Sequence, residues 1–228
     1  MSTALHWNPV KAPVATTLEG RFMRLEKLEP ARHGDDLWEL LHGPEADPKQ
    51  WDFLPYGPFR DREMFDIWLD GYAVSPDPLG YCVVDTETGQ AQGILSLMSI
   101  VPAHGRIEIG HVAFSSAMQR SPKGTEAIYQ LAKFVFGSGY RRVEWKCDNA
   151  NVRSRRAAER FGFAFEGVFR QHMVVKDQNR DTAWFSIRDT DWPTVEKAFE
   201  AWLDGSNFKQ GQQIQTLENL RGNIAIKT

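Results

Sequence analysis

RIEIGHVAFS, residues 106–115, alternates like a β-strand and then slips by one residue. Its apolar residues are Ile107, Ile109, Val112 and Phe114, in steps of two, three and two. A regular strand has a side-chain period of two and cannot hold all four on one face. One inserted residue repairs the pattern, and Gly110 at the break reads as the permissive residue of a β-bulge. With the bulge, Glu108, His111 and Ala113 share the opposite face. A bulge bends its strand and leaves backbone groups unpaired, either to curve a sheet or to receive a ligand.

Gln119-Arg-Ser-Pro-Lys-Gly-Thr-Glu-Ala127 follows directly and opens a helix, whose buried stripe is Ile128, Leu131, Ala132 and Val135. Amides at a helix start lack partners, and the helix dipole favours an anion there. Arg120 and Lys123 add positive charge and Thr125 a hydroxyl, so the segment suits a pyrophosphate. It is neither a GxxxxGK[ST] loop nor a GxGxxG turn, and ordinary capping would also place Ser, Thr and Glu here.

Working outward, RFMRLEKL at 21–28 reads as a strand, and Leu37, Leu40 and Leu41 as the stripe of a helix with Pro30 in its first turn. Phe65, Trp68, Leu69 and Tyr72 mark a second amphipathic helix. YCVVD (81–85) and GILSLMSIV (93–101) are strands joined by a turn. RVEWKCD (142–148) is a strand, Val152–Phe161 a helix closed by Gly162, and 163–187 a hairpin turning near Asp177–Asn179. A last helix begins near Asp191 and ends near Gly205. The pattern predicts one α/β (α+β) domain over 19–204, with an extended segment at 1–18 and a polar tail at 205–228 that either docks or frays.

At 228 residues, 42% hydrophobic and 25% charged, the chain can bury a full core. The net charge of −3 argues against a general polyanion binder, so no nucleic-acid partner is expected. No apolar run approaches the ~20 residues that span a bilayer, and the first residues lack a secretory signal's pattern. Cys82 and Cys147 lie in strand-like runs without metal-ligand spacing and read as buried, reduced thiols, which points to the cytoplasm. His104, Glu108 and His111 would converge on a metal only with further ligands that are not evident, so none is expected.

Strand, bulge, loop and helix together resemble motif A of the GNAT acetyltransferases. That family's Gln/Arg-x-x-Gly-x-Gly/Ala loop appears as Gln119-x-x-Pro122-x-Gly124, and Thr125-Glu126-Ala127 resembles the ribosomal-protein-alanine (RimJ/RimL-like) branch. The family's Asn-x-x-Ser…Gly-Phe element is matched by Asn151-Val-Arg-Ser154 and Gly162-Phe163. Pro122 departs from the usual glycine and removes one amide. The resemblance covers about Leu18 to Leu203. It implies a GNAT fold: a mixed, mostly antiparallel sheet in which the bulged strand and Val143–Cys147 splay into a V, flanked by helices. It implies acetyl-CoA as co-substrate, with its arm in the V beside Val112 and Phe114, its pyrophosphate on Gln119, Arg120, Lys123, Gly124 and Thr125, and Asn151 and Ser154 on the pantetheine. Arg153, Arg156 and Arg160 form a stripe that would reach the 3′-phosphate or face solvent. Gly124 would allow the close approach of a ligand.

An acceptor amine must lose a proton before it attacks. A lysine side chain near pKa 10.4 costs about 4–5 kcal/mol to deprotonate at neutral pH, and an α-amine near 7.7–8.0 only about 1–1.4. Glu108 is the first candidate base and His111 the second. Many relatives place a tyrosine acid where this chain has Ala158; a thiol of pKa about 8.5 also leaves readily as the anion. In WDFLPYGPF (51–59) the aromatics either pack under the sheet or line the acceptor pocket, with Trp51 and Tyr56 the candidate substrate contacts. Glu45, Asp47 and Asp52 would attract a cation, and Arg170, Gln171 and His172 would close the opposite wall. The expected reaction is acetyl transfer to a primary amine, foremost the α-amine of a protein or peptide. A small-molecule amine (antibiotic, polyamine or amino acid) and a non-catalytic acyl-CoA-binding module are the alternatives, and the reading admits a homodimer.

Overall fold

The structure is a computed structural model and describes residues 6–225. Strands β1 (Leu18–Glu19) and β2 (Met23–Lys27) lead into helices α1 (Pro30–His42) and α2 (Arg62–Ala73). Strands β3 (Leu79–Asp85), β4 (Ala91–Val101) and β5 (Arg106–Phe114) follow, then α3 (Pro122–Gly137), β6 (Arg142–Asp148) and α4 (Val152–Phe161). The hairpin β7 (Ala164–Val175)–β8 (Gln178–Arg188) precedes α5 (Trp192–Leu203), the short pair β9 (Phe208–Lys209) and β10 (Gln212–Gln213), and α6 (Leu217–Ala225). Eight strands form one sheet in the order β1-β2-β3-β4-β5-β6-β8-β7, every neighbouring pair antiparallel except β5–β6.

Both faces of the sheet are covered, so β3 reads as a continuous apolar run rather than an alternation. Tyr81 and Val83 join one cluster, with Ile128, Leu131, Ala132 and Val135 of α3 and Phe199 of α5. Cys82 and Val84 face the other, with Leu37 and Leu41 of α1 and Phe65, Leu69 and Tyr72 of α2. Asp61 caps α2 by accepting from the Met64 amide at 3.0 Å. Gly162, at φ 95°, closes α4. The two cysteines are free and buried.

The chain after Leu203 docks. Leu217 is buried, and Arg221 of α6 donates to the carbonyls of Arg160 (2.9 Å) and Glu159 (3.1 Å) at the end of α4. Isolated spacing in a polar segment did not decide this, because the partners are carbonyls that only the closing of α4 exposes.

The V opens where β5 and β6 part. Their parallel register runs Arg106↔Arg142, Ile107↔Val143 and Glu108↔Glu144, then stops, while β6 continues against β8 through Asp148↔Thr182. On its other side β5 has two residues, His111 and Val112, between Gly110 and Ala113 where β4 has one, Leu95, between Ser96 and Ile94, which is the bulge. Its effect on the faces is as the apolar steps require: Ile107, Ile109, Val112 and Phe114 all pack on the α3 side, and Ala113 on the α1–α2 side. The left-handed residue is not Gly110, however, but His111 at φ 52°. Gly110 answers a spatial demand, since a Cβ there would lie 2.6 Å from Met98 Sδ.

Candidate active site

His111 turns towards the helices of the α1–α2 face. Its Nδ1 lies 3.0 Å from the hydroxyl of Tyr72 on α2, which lies 2.8 Å from Ser96 Oγ on β4. Ser96 Oγ in turn donates to the Gly110 carbonyl at 3.2 Å. Tyr56 sets its ring edge-on to the imidazole, 5.3 Å between centroids. Burial pushes the His111 pKa down to about 4, with the charge of Arg180 acting in the same sense, so the ring is neutral near pH 7. Burial holds the Tyr72 phenol up at about 12, so it stays protonated.

Glu108 is 3% exposed and is not a free carboxylate. It accepts from Lys146 Nζ of β6 at 2.6 Å and from Ser99 Oγ at 3.1 Å, and the Lys146 ammonium also sits 4.8 Å above the Trp184 ring. Burial raises the Glu108 pKa and the lysine opposes that shift. The pair bridges β5 and β6 beside their point of divergence.

Helix α3 begins below the V. Pro122 occupies its first position and has no N–H, which leaves the amides of Lys123 and Gly124 without helical partners. Several side chains expected at the phosphates are engaged elsewhere. Lys123 Nζ pairs with the buried carboxylate of Asp85. Thr125 Oγ1 accepts from Arg160 Nη1 at 3.0 Å, and Gln119 Nε2 donates to the Phe114 carbonyl. A Cβ on Gly124 would meet the Met118 carbonyl at 3.2 Å and the Phe114 ring at 3.6 Å, so packing by itself already favours a small residue here. Arg120 is exposed, at φ 58°. Glu126, which carries no charge to any ligand, accepts from the amides of Arg21, Phe22 and Met23 at 2.8, 2.6 and 2.9 Å.

On α4, Asn151 caps the helix by accepting from the Ser154 amide, and Ser154 Oγ accepts from Trp145 Nε1 at 2.9 Å. Ala158 is fully buried, so no phenol stands at that position. The arginine stripe divides: Arg153 pairs with Asp47 at 2.8 Å, Arg160 lies against Thr125 and over the Trp202 ring, and Arg156 is exposed.

At the acceptor end, Trp51 is core and not a pocket wall. It is 2% exposed, and its Nε1 donates to the Leu41 carbonyl, because Phe59, Trp68 and His42 close around the indole. Tyr56, against His111, is the aromatic of this loop that reaches the site. Arg170, Gln171 and His172 are all exposed on β7; His172 bonds to Thr182 and its ring lies 6.0 Å from that of Trp184. Lys176 Nζ ties the β7–β8 hairpin to the loop by donating to the Trp51 carbonyl at 2.7 Å. The Asp47 carboxylate is held by Arg153, and Ser116 donates to the backbone carbonyl of Glu45. Arg180 Nε and Trp184 Nε1 are buried donors with no hydrogen-bond partner.

Tyr72, Ser96, Lys146 and Arg180 were not singled out from sequence. Tyr72 reads as one more residue of an apolar stripe. Lys146 carries a faint signal: Val143, Trp145 and Cys147 alternate with it in a strand buried on both faces, where a charge needs a partner. Among the described residues, no group of three or more His, Cys, Asp or Glu is placed to hold a metal.

The chain matches the model of the acetyltransferase (GNAT) domain over residues 24–164 and belongs to that family. It is similar to a GCN5-related N-acetyltransferase from Brucella melitensis, with 46% identity and a TM-score of 0.92 over 95% of this chain and 99% of that one. A GNAT-family protein from Chromobacterium violaceum ATCC 12472 shares 43% identity, with a TM-score of 0.79 over 85% of this chain and 97% of that one. RimL, a ribosomal L7/L12 α-N-protein acetyltransferase, shares the fold at 18% identity, with a TM-score of 0.65 over 79% of this chain and 98% of that one. No curated protein matches. The protein is thus an acetyl-CoA-dependent N-acetyltransferase that acts on an amine. No helix among the described residues is long and apolar enough to cross a membrane.

Proposed function

We propose that the enzyme acetylates the α-amine of a protein or peptide, with His111 facing that amine. The observation that carries this reading is the weakness of the bases at the acceptor end. Glu108 is held by Lys146 and Ser99, and the His111 pKa lies at about 4. Such a site does little to strip a lysine ammonium, which costs about 4–5 kcal/mol at pH 7, but it suits an α-amine that costs only about 1–1.4. The buried, unpartnered donors Arg180 Nε and Trp184 Nε1 call for acceptor oxygens. A peptide brings carbonyls beside its amine; a polyamine brings none. Exposed Phe169, Met173 and Val174 on β7 offer apolar surface for the residues that follow. With Thr125-Glu126-Ala127, these features favour the ribosomal-protein-alanine (RimJ/RimL-like) branch. The two buried free thiols accord with a reducing compartment such as the cytoplasm.

Acetyl-CoA supplies the acetyl group as a thioester. The residues present fit it: the backbone edge of β5 beyond Glu108 faces the V, and the free amides of Lys123 and Gly124 suit its phosphates. Arg120 adds charge there, and Asn151 and Ser154 border the arm from α4. His111 accepts a hydrogen bond from the incoming amine, and the Glu108–Lys146 pair holds the two strands at the mouth of the V. With Ala158 buried, the thiolate leaves as the anion. A panel of peptides with free N-termini, polyamines and aminoglycoside-type amines tests the reading by thiol release. Faster turnover of the polycationic amines than of every peptide would sink it, and no turnover of any amine, with acetyl-CoA still bound, would favour a non-catalytic acyl-CoA-binding module.

A further inference from the structure

We propose that Tyr72 and Ser96 are positioning residues that fix the tautomer of His111, placing its proton on Nδ1 and leaving the Nε2 lone pair free for the acceptor amine. The inference rests on the reading of His111 given above, and its argument is one of hydrogen-bond direction.

The chain of bonds ends on the Gly110 carbonyl, which can only accept. The inferred order gives the single proton of Ser96 Oγ to that carbonyl, at 3.2 Å; the reverse order, Ser96 to Tyr72 to Nδ1, would put the imidazole proton on Nε2 and is the outcome that the spectrum below separates. Tyr72, 2.8 Å from Ser96 Oγ, then finds an acceptor there and gives its own proton to it. With that proton spent, the phenol oxygen faces Nδ1 at 3.0 Å as an acceptor, and Nδ1 must carry a hydrogen. A neutral imidazole has one N–H, so Nε2 is bare. Among the described residues Nε2 has no hydrogen-bond partner, while Nδ1 is held. The carbonyl at the root belongs to the residue before His111 and lies within the bulge. The backbone irregularity that turns His111 out at φ 52° thus also anchors the relay that sets its proton.

The neighbours reinforce the neutral state. Tyr56 from the loop and Tyr72 from α2 enclose the ring, and Arg180 on β8 and Lys146 on β6 disfavour a second proton. Asp77 pulls the other way, but its carboxylate already accepts from the amides of Ser99 and Ile100. The residue that orients an imidazole is a recurrent device; a wrong tautomer costs up to ~10⁴ in rate where the ring is an essential base.

The direct test is long-range ¹H–¹⁵N NMR of the whole protein at pH 7, labelled on histidine and assigned with His111→Ala. The expected spectrum has Nε2 of His111 as the unprotonated nitrogen and Nδ1 as the protonated one. Ser96→Ala removes the acceptor of the Tyr72 proton and the donor to the Gly110 carbonyl, and leaves the side chains of Tyr72 and His111 in place. The phenol is then free to donate to Nδ1, and His111 should change to the Nε2–H tautomer. Turnover should fall by about 10²-fold or more, with the KM for acetyl-CoA unchanged. Tyr72→Phe should give the same rate loss. A wild-type spectrum with the proton on Nε2 overturns the proposal without any variant. A tautomer change in Ser96→Ala with an undiminished rate also overturns it. His111→Ala in the same assay then shows whether the base assignment has failed as well.

Discussion

His111 combines a left-handed backbone, a buried ring and a hydrogen bond to Tyr72, and its pKa of about 4 makes a specific kinetic demand. Between pH 6 and 9 the ring does not titrate, so kcat/KM should rise with the fraction of neutral amine. The profile should follow the substrate's α-amine, near 7.7–8.0, with no inflection near the ordinary histidine value of about 6.5. An inflection at that value, lost in His111→Ala, would show that the ring is not buried as described. His111→Ala should lower turnover by about 10²–10⁴-fold if the imidazole takes the proton. Glu108→Gln addresses a different function. It leaves the Lys146 ammonium buried without its counter-charge, so it should lower the melting temperature, whereas a base directly facing the amine would lose rate alone. Both residues were legible as candidates in RIEIGHVAFS, because the slipped alternation put them on one face. Their ranking was not legible, because Lys146, Ser99 and Tyr72 come from other strands and a helix.

The start of α3 shows how an element can look built for a ligand while its side chains serve the fold. Glu126 binds three consecutive amides at the β1–β2 turn and ties α3 to the sheet edge. Glu126→Ala should cost about 2–5 kcal/mol in denaturant unfolding, since it leaves buried N–H groups without an acceptor. Lys123→Ala should likewise reduce stability, by about 1–3 kcal/mol, through the loss of a partner for buried Asp85. Its effect on CoA affinity, read by calorimetry, should be under about threefold, because the free amides remain. A large affinity loss at unchanged stability would show that the ammonium turns to the phosphates instead. The helix itself and its buried stripe were readable from periodicity. What Lys123, Thr125 and Glu126 bond to was not, since Asp85, Arg160 and the turn at 21–23 lie far off in sequence. The loop at 51–59 makes the same point: its aromatic composition was plain, but whether Trp51 packs or lines a pocket depended on α1, α2 and a carbonyl at Leu41.

On the scale of the molecule, the sheet is covered by helices on both faces and opened at one place, the β5–β6 divergence, and burial there and under α1 affects stability as well as catalysis. His42, stacked between Trp38 and Trp51, has its pKa lowered by burial to about 4, like His111. In the unfolded chain both titrate near 6.5. Below that value the unfolded state binds protons that the folded state refuses, so stability is full above pH 6.5 and declines as pH falls towards 4. The slope should reach at most about 1.4 kcal/mol per pH unit for each histidine. Urea unfolding between pH 7 and 5 should show the decline, and His42→Phe should reduce it; equal slopes in both would contradict the assignment. The family was legible because the slipped strand, the loop after it and the Asn151-x-x-Ser154…Gly162-Phe163 element are local patterns, and the V followed as what that resemblance implies. The acceptor end was less so, being assembled from a loop, α2, β6 and the β7–β8 hairpin. The most direct measurement of the whole account is acetyl transfer to two versions of one peptide, one with only its α-amine free and one with only a lysine side chain free. The account predicts acetylation of the first at pH 7 and little of the second. Acetylation confined to the lysine peptide would contradict it.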